Sequence, residues 1–344
     1  MNGEVIDIIK NNINNYFNSL KETEMFNGAI LVSIKGKKVI SKGYGMANYE
    51  LDVPNTCETK FRIGSITKQF TAVSIIQLYE KKLLNLNDKL NKYIKDYPNG
   101  ENITIHHLLT HSSGIFNYDT FEEQMYVNNK YTTEKIIDNK IKYKPCEFKP
   151  GVKFSYIDSG YIILGYIIEK VSNVSYEQYL KDNIFSVLSM DNSGYYNRYS
   201  IIKNRASGYK RVEGNDIVNC DFLDTAISHG AGGLYSTVED LSIWNNALLN
   251  SKIISNQSLE KILEKYIKVE ENDYYGYGLH ISDDRIKNKM IRKIWHKGGR
   301  PGFKSYNEVF PQNNIEIIAM TNINNNTFNQ NIRQVENIIF EHVN

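Results

Sequence analysis

Strand-forming sequence lies at both ends of this chain and helix-forming sequence fills the middle, and that order limits the folds open to it. Near the start, GAILVSIKGKKVISKGYGMANYE (28–50) reads as two strands joined by a Lys-Gly-Lys turn near Gly36. Near the end, KSYNEVFP and NIEIIAMTNI read as another pair, separated by Pro311-Gln-Asn-Asn. From about Leu86 to Leu188 the pattern is helical and loop-like, with an amphipathic stretch from Gly160 to Val171. Val5, Ile8, Ile9, Ile13 and Phe17 recur at helical spacing, a helix is expected from Ser65 to Leu84, and a last one over about 329–342. Two chain ends that each supply strands imply one sheet built from both, with a helical insertion packed against it.

The bulk properties remove several function classes. Lys and Arg number 41 against 39 Asp and Glu, a formal charge of +2, and no basic block alternates with aromatics, so nucleic-acid binding has no support. No apolar run approaches the roughly 18 residues of a membrane span. The first twenty residues lack the basic and apolar regions of an export signal, so the chain reads as cytoplasmic, or as extracytoplasmic if such a signal has been removed. Cys57, Cys146 and Cys220 are odd in number and widely spaced, which suits isolated thiols rather than a disulfide framework.

Chemistry is most visible in TKFRIGSITKQFTA (59–72), where Ser65 and Lys68 stand three residues apart as loop gives way to helix. A serine at a helix start sits beside unpaired backbone N–H groups, and a lysine close to one turn on projects toward the same mouth. Such a lysine activates the hydroxyl only if burial or nearby positive charge frees its amine. S-x-x-K occurs four times here, at Ser65, Ser200, Ser207 and Ser258, so the pattern alone favours a capped helix with a solvated lysine over a catalytic pair. In HHLLTH, His107 and His111 have a spacing that can hold zinc, but the glutamate of HExxH is missing and a structural role is expected. Gly230, Gly232 and Gly233 lack a dinucleotide-binding frame. Neither metal nor cofactor is expected.

Two further stretches accompany the first: FKPGVKFSYIDSGYIILGYIIEKV (148–171) and WHKGGRPGFKSYNEVFP (295–311). Together the three resemble, in order, the motif regions of the serine β-lactamase and penicillin-binding protein superfamily. The closest likeness is to its class C β-lactamase-like branch of D-peptidases, esterases and D-aminopeptidases. ITIHHLLTHSSGI, HGAGGLYSTVEDLSIW and YYGYGLHI agree in order, and the likeness runs from about Gly28 to the end. The resemblance implies the β-lactamase/transpeptidase-like fold, an antiparallel sheet flanked by helices. It places an α/β lobe at 1–85 and 225–344, an all-helical lobe at 86–224, and the site in the cleft between them.

It also implies roles. Ser65 would be the acylated nucleophile, with Lys68 and Tyr156 sharing general-base and general-acid duty. Which of the two takes the serine proton stays open. The N–H groups of Ser65 and Gly299 would form an oxyanion hole. Two positions depart from the family pattern. Asp158 stands where an asparagine is usual, and its carboxylate either holds Lys68 as the ammonium or recognises a substrate amine. His296 takes the place of the lysine in the third motif, with His296 and Gly298 facing the site and Lys297 turned away. A histidine there should make the site's positive field pH dependent near neutrality. The expected function is a serine hydrolase of amides or esters, peptidase or esterase rather than efficient β-lactamase. The alternative is a catalytically weak penicillin-binding or sensor protein. The partner would be a small-molecule or peptide substrate, with β-lactams as candidates. Oligomeric state has no signature in the sequence.

Overall fold

The computed structural model describes residues 3–22, 25–118, 132–197, 199–212, 216–221, 228–287, 289–324 and 326–343. Its centre is an eight-stranded sheet in the spatial order Ile267–Glu270, Asp273–Tyr275, His280–Ile286, Lys289–Arg300, Phe303–Phe310, Ile315–Thr321, Gly28–Ile34, Lys37–Tyr44. Every neighbouring pair is antiparallel. Strands from the two ends of the chain meet one strand in from an edge of the sheet, where Gly28 pairs with Thr321 and Ile34 with Ile315.

Local chemistry explains the hairpins. Lys35 and Gly36 both take positive φ, 53° and 73°, as a two-residue turn between right-twisted strands requires. The strand Gly28–Ile34 is apolar almost throughout because both of its faces are covered. Ile30 and Val32 join Ile9, Ile13 and Phe17 of the helix Gly3–Glu22 and Ile332, Val335 and Ile339 of the helix Phe328–Phe340. Ala29 and Leu31 face the opposite core, with Phe70 and Trp244, whose rings stack at 4.1 Å.

The helix Thr67–Glu80 is buried on every side from Thr67 to Leu78, so the apolar stripe expected from its sequence is only part of its packing. Its polar residues are paired inside the core: Thr71 Oγ1 donates to Gly230 O at 2.7 Å, and Trp244 Nε1 donates to Gln69 Oε1 at 2.9 Å. This helix lies between the sheet and the helix Asp158–Ser172, and so holds the seam along which a site can form.

The segment 86–224 was expected to be all helical, and its last part differs. Gly194–Tyr195, Tyr209–Arg211 and Ile217–Asn219 are short strands. Tyr209–Arg211 pairs in parallel with Ile323–Asn324, and Gly194–Tyr195 pairs with Leu234–Ser236, which in turn pairs with Phe61–Arg62. These strands tie the insertion back to the segment that leads into Ser65. The expected boundary between 224 and 225 lies outside the described residues.

Candidate active site

Ser65 lies in a single 3-10 turn, Gly64–Ile66, that runs into the helix Thr67–Glu80. The turn is pressed against the strand Lys289–Arg300. Gly64 has φ +50°, and a Cβ there would stand 2.6 Å from Gly299 N. Gly298 is glycine for the same reason from the other side, since its Cβ would meet Ile63 O at 1.9 Å. Contact between two segments of the protein, and not the approach of substrate, therefore fixes Gly298. Gly299 has open space where a Cβ would be.

Lys68 follows one turn later and is fully buried. Its Nζ lies 3.2 Å from Ser65 Oγ, 2.7 Å from Asp158 Oδ1 and 2.9 Å from Ala231 O. Three acceptors surround a group with three hydrogens to give, so an ammonium is satisfied here completely. The rings of Tyr156 and Tyr161 flank the charge, with centroids 4.8 and 5.6 Å from Nζ. Of the other S-x-x-K pairs, Ser207 and Lys210 are engaged elsewhere: Ser207 Oγ accepts from Asn48 Nδ2 and Lys210 pairs with Asp221.

Asp158 opens the helix Asp158–Ser172, where a carboxylate complements the helix dipole. Burial works against its charge, but Lys68 and then Arg300 hold its carboxyl below the usual carboxylate range. Tyr156 stands two residues earlier, 37% exposed, so one part of the ring opens to the cleft. Burial of its hydroxyl raises the phenol above its usual value, against the opposing pull of Lys68.

His296 departs from the expectation of titration near neutrality. It is 1% exposed, and burial, followed by the nearby His280 and Lys68, holds it well below the ordinary histidine value. Its Nδ1 lies 2.7 Å from Lys297 O and its Nε2 3.1 Å from the Tyr275 hydroxyl. A neutral ring that donates through Nδ1 and accepts through Nε2 fits both partners. The site's positive charge thus comes from Lys68 and Arg300, and the histidine adds none.

Arg300 escaped the sequence reading because nothing marks it beyond its place after two glycines. It is buried, its Nε donates to Gly232 O at 3.2 Å, and its guanidinium supports the charge of Asp158. A Cβ on Gly232 would stand 1.7 Å from Nη2, so only glycine leaves room for it. His107 and His111 do not converge. His107 closes a capping box with Thr104, whereas His111 turns its ring against Tyr156.

A second neutral histidine begins and braces the one-turn helix His229–Gly232 that presents Ala231. His229 is pushed down to about 4 by burial, with Tyr176 and Tyr195 around its ring and Glu169 at 3.9 Å. Its folded value lies below the unfolded value of 6.5, so between the two only the unfolded chain binds the proton. The contribution is complete above pH 6.5 and is lost as the pH falls toward 4. In urea titrations across that window, His229→Gln should make stability less steep in pH by about 1.4 kcal/mol per unit. An unchanged slope would show that His229 is not held neutral.

The site opens into a cleft of about 800 Å³, whose walls include Ser65, Phe154, Tyr156, His296, Gly298 and Gly299. A cleft-facing serine beside a buried lysine and a tyrosine, set between an antiparallel sheet and a helical insertion, defines the serine β-lactamase and penicillin-binding protein class. The chain belongs to the beta-lactamase family, whose model matches residues 13–337. It is 32% identical over 327 residues to PbpX of Bacillus subtilis (strain 168), which carries the name of a penicillin-binding protein; the match spans 95% of this chain and 77% of that one. It is 29% identical over 279 residues to the teichoic acid D-alanine hydrolase of Staphylococcus aureus (strain MRSA252), spanning 80% of this chain and 68% of the relative. Among solved structures, the penicillin-binding protein from Bacillus halodurans superimposes with a TM-score of 0.81 at 26% identity, covering 93% of this chain and 98% of the other. Among the described residues, no helix is long and apolar enough to cross a membrane.

Proposed function

We propose that the protein is a serine hydrolase that cleaves an amide or ester through an acyl-Ser65 intermediate. The observation that carries this reading is Lys68 Nζ at 3.2 Å from Ser65 Oγ, buried at the wall of an open cleft. Ser65 Oγ bonds to the substrate carbonyl carbon, and the leaving nitrogen or oxygen departs with the proton that the serine gave up. Water then hydrolyses the acyl ester and restores the hydroxyl. The Ser65 and Gly299 N–H groups are assigned to the oxyanion, where each such donor contributes roughly 3–4 kcal/mol in the transition state. Tyr156, protonated and open to the cleft, is assigned the relay between Ser65 and the leaving group, with Lys68 holding the field that favours it.

Similarity to a teichoic acid D-alanine hydrolase supports an acyl group of amino-acid type, and the neutral His296 in place of a lysine favours peptidase or esterase action over efficient β-lactam hydrolysis. Incubation with a fluorophosphonate and with a labelled penicillin, read by intact mass, tests the reading. A folded protein that gains mass from neither is not an acyl-transfer enzyme. p-Nitrophenyl esters, D-amino-acid amides, D-Ala-D-Ala peptides and nitrocefin then sort the substrate class.

The second reading, a weak or merely acylable binder, has its support in the Lys68–Asp158 ion pair at 2.7 Å. That pair also weighs against Asp158 as the site of a substrate amine, since its charge is already met by Lys68 and Arg300. Asp158→Asn takes the anionic acceptor away from Nζ, and the rate of acylation at pH 7 should rise by about tenfold. A stopped-flow rate that stays constant would remove the carboxylate from the chemistry.

A further inference from the structure

His111 bears several burdens at one position. It is completely buried and takes a left-handed backbone, φ +56°, a conformation uncommon outside glycine though more frequent for histidine than for most residues. Its Nδ1 accepts from Ile157 N–H at 3.2 Å, which places the hydrogen of the neutral ring on Nε2. That Nε2 is buried, with no hydrogen-bond partner among the described residues. Packing alone does not account for an imidazole here, because a smaller or apolar side chain would avoid the unpaired N–H.

What His111 touches explains its presence. Its carbonyl accepts from Ser155 N–H at 2.9 Å, and its ring nitrogen accepts from Ile157 N–H. These are the residues on either side of Tyr156. Its ring lies on the Tyr156 ring, with centroids 4.3 Å apart and planes inclined by 36°. Behind it stand Tyr275 at 4.8 Å, Tyr161 at 5.0 Å and Phe154 at 5.8 Å, so the imidazole cannot retreat. One residue therefore fixes the backbone before Tyr156, the backbone after it, and one face of its ring. The Lys68 ammonium also lies over that ring, 4.8 Å from its centroid.

We infer that His111 is the positioning residue of Tyr156: it holds the phenol over Ser65 and Lys68 while the rest of the ring remains open to substrate. The inference rests on the reading that Tyr156 works on Ser65. His111 itself touches neither Ser65 nor substrate, and its effect passes through Tyr156.

A double-mutant cycle on the full chain tests this, with turnover of p-nitrophenyl acetate as the readout. His111→Gly deletes the ring without penalising the left-handed backbone. It should lower kcat by about 30- to 100-fold, as expected for a catalytic group displaced by about 1 Å, with KM changed by less than about threefold. In a Tyr156→Phe background the same substitution should cost less than about threefold more. His111→Asn, which tolerates positive φ and offers an amide oxygen where Nδ1 stood, should recover at least about tenfold of the loss. If the glycine variant does not fold, the cycle run with His111→Asn gives a smaller loss that likewise vanishes beside Tyr156→Phe. Losses that multiply in the double variant would assign His111 to general stability and overturn the inference. If Tyr156→Phe alone leaves turnover intact, the assignment of Tyr156 falls, and the inference falls with it.

Discussion

Ser65→Ala should abolish covalent labelling and lower turnover of any accepted ester by at least about 10⁴-fold, because no other group replaces a nucleophile that acts in concert with its base. The change is small in every other respect. It deletes one oxygen from a turn whose backbone is held by Gly64, Gly298 and Gly299, and it leaves Lys68 with Asp158 and Ala231 as partners. Unfolding free energy should therefore move by less than about 1 kcal/mol, within the range of a net hydrogen bond. Intact mass after fluorophosphonate treatment is the decisive measurement. A variant that still gains the full adduct has its nucleophile elsewhere, and Ser65 loses its role.

Lys68→Ala has the second largest expected effect, and it combines activity with stability. Lys68 is fully buried and Asp158 is 18% exposed at its side chain, so removing the cation leaves a carboxylate in a poorly solvated place with Arg300 as its remaining cationic support among the described residues. Breaking one side of such a pair costs about 3 kcal/mol or more. Acylation should fall by about 10³-fold, because the serine loses its polar partner and Tyr156 loses the cation beside its ring. The second substitution Asp158→Asn should restore most of the stability and none of the rate. Urea unfolding of the single and double variants separates the two effects. If the double variant recovers activity along with stability, Lys68 serves only to neutralise Asp158.

Much of this arrangement was legible in the chain, in unequal measure. The Lys35-Gly36 hairpin and the strand pair around Pro311 are local, and their turn residues specify them. The strand His280–Ile286 and the first half of Lys289–Arg300 were missed because charged residues recur along them and hide the apolar alternation. Ser65, Lys68 and Tyr156 were visible through three ordered motifs, and the structure brings them together. The state of His296 was not visible. Its burial depends on Tyr275 and His280, and its depressed titration also on Lys68, far away in the chain. A pKa set by neighbours from distant segments leaves no mark on the residues beside it. Arg300 and His111 were hidden similarly, since each matters through one partner that only the fold supplies.

The pairing of Gly28–Ile34 with Ile315–Thr321 also sets an order of events during synthesis. A ribosome releases Ser65 and Lys68 well before the strand that carries His296 and Gly299 and before the one that closes the sheet beyond it. Until then the apolar strand Gly28–Ile34 has an open edge and no partner on that side. Closing so long a loop is slow, and the waiting edge is the part of the nascent protein most exposed to mispairing. A truncated chain that stops before Phe303 would contain Ser65 and Lys68 but lack the strands Phe303–Phe310 and Ile315–Thr321, which join the two parts of the sheet.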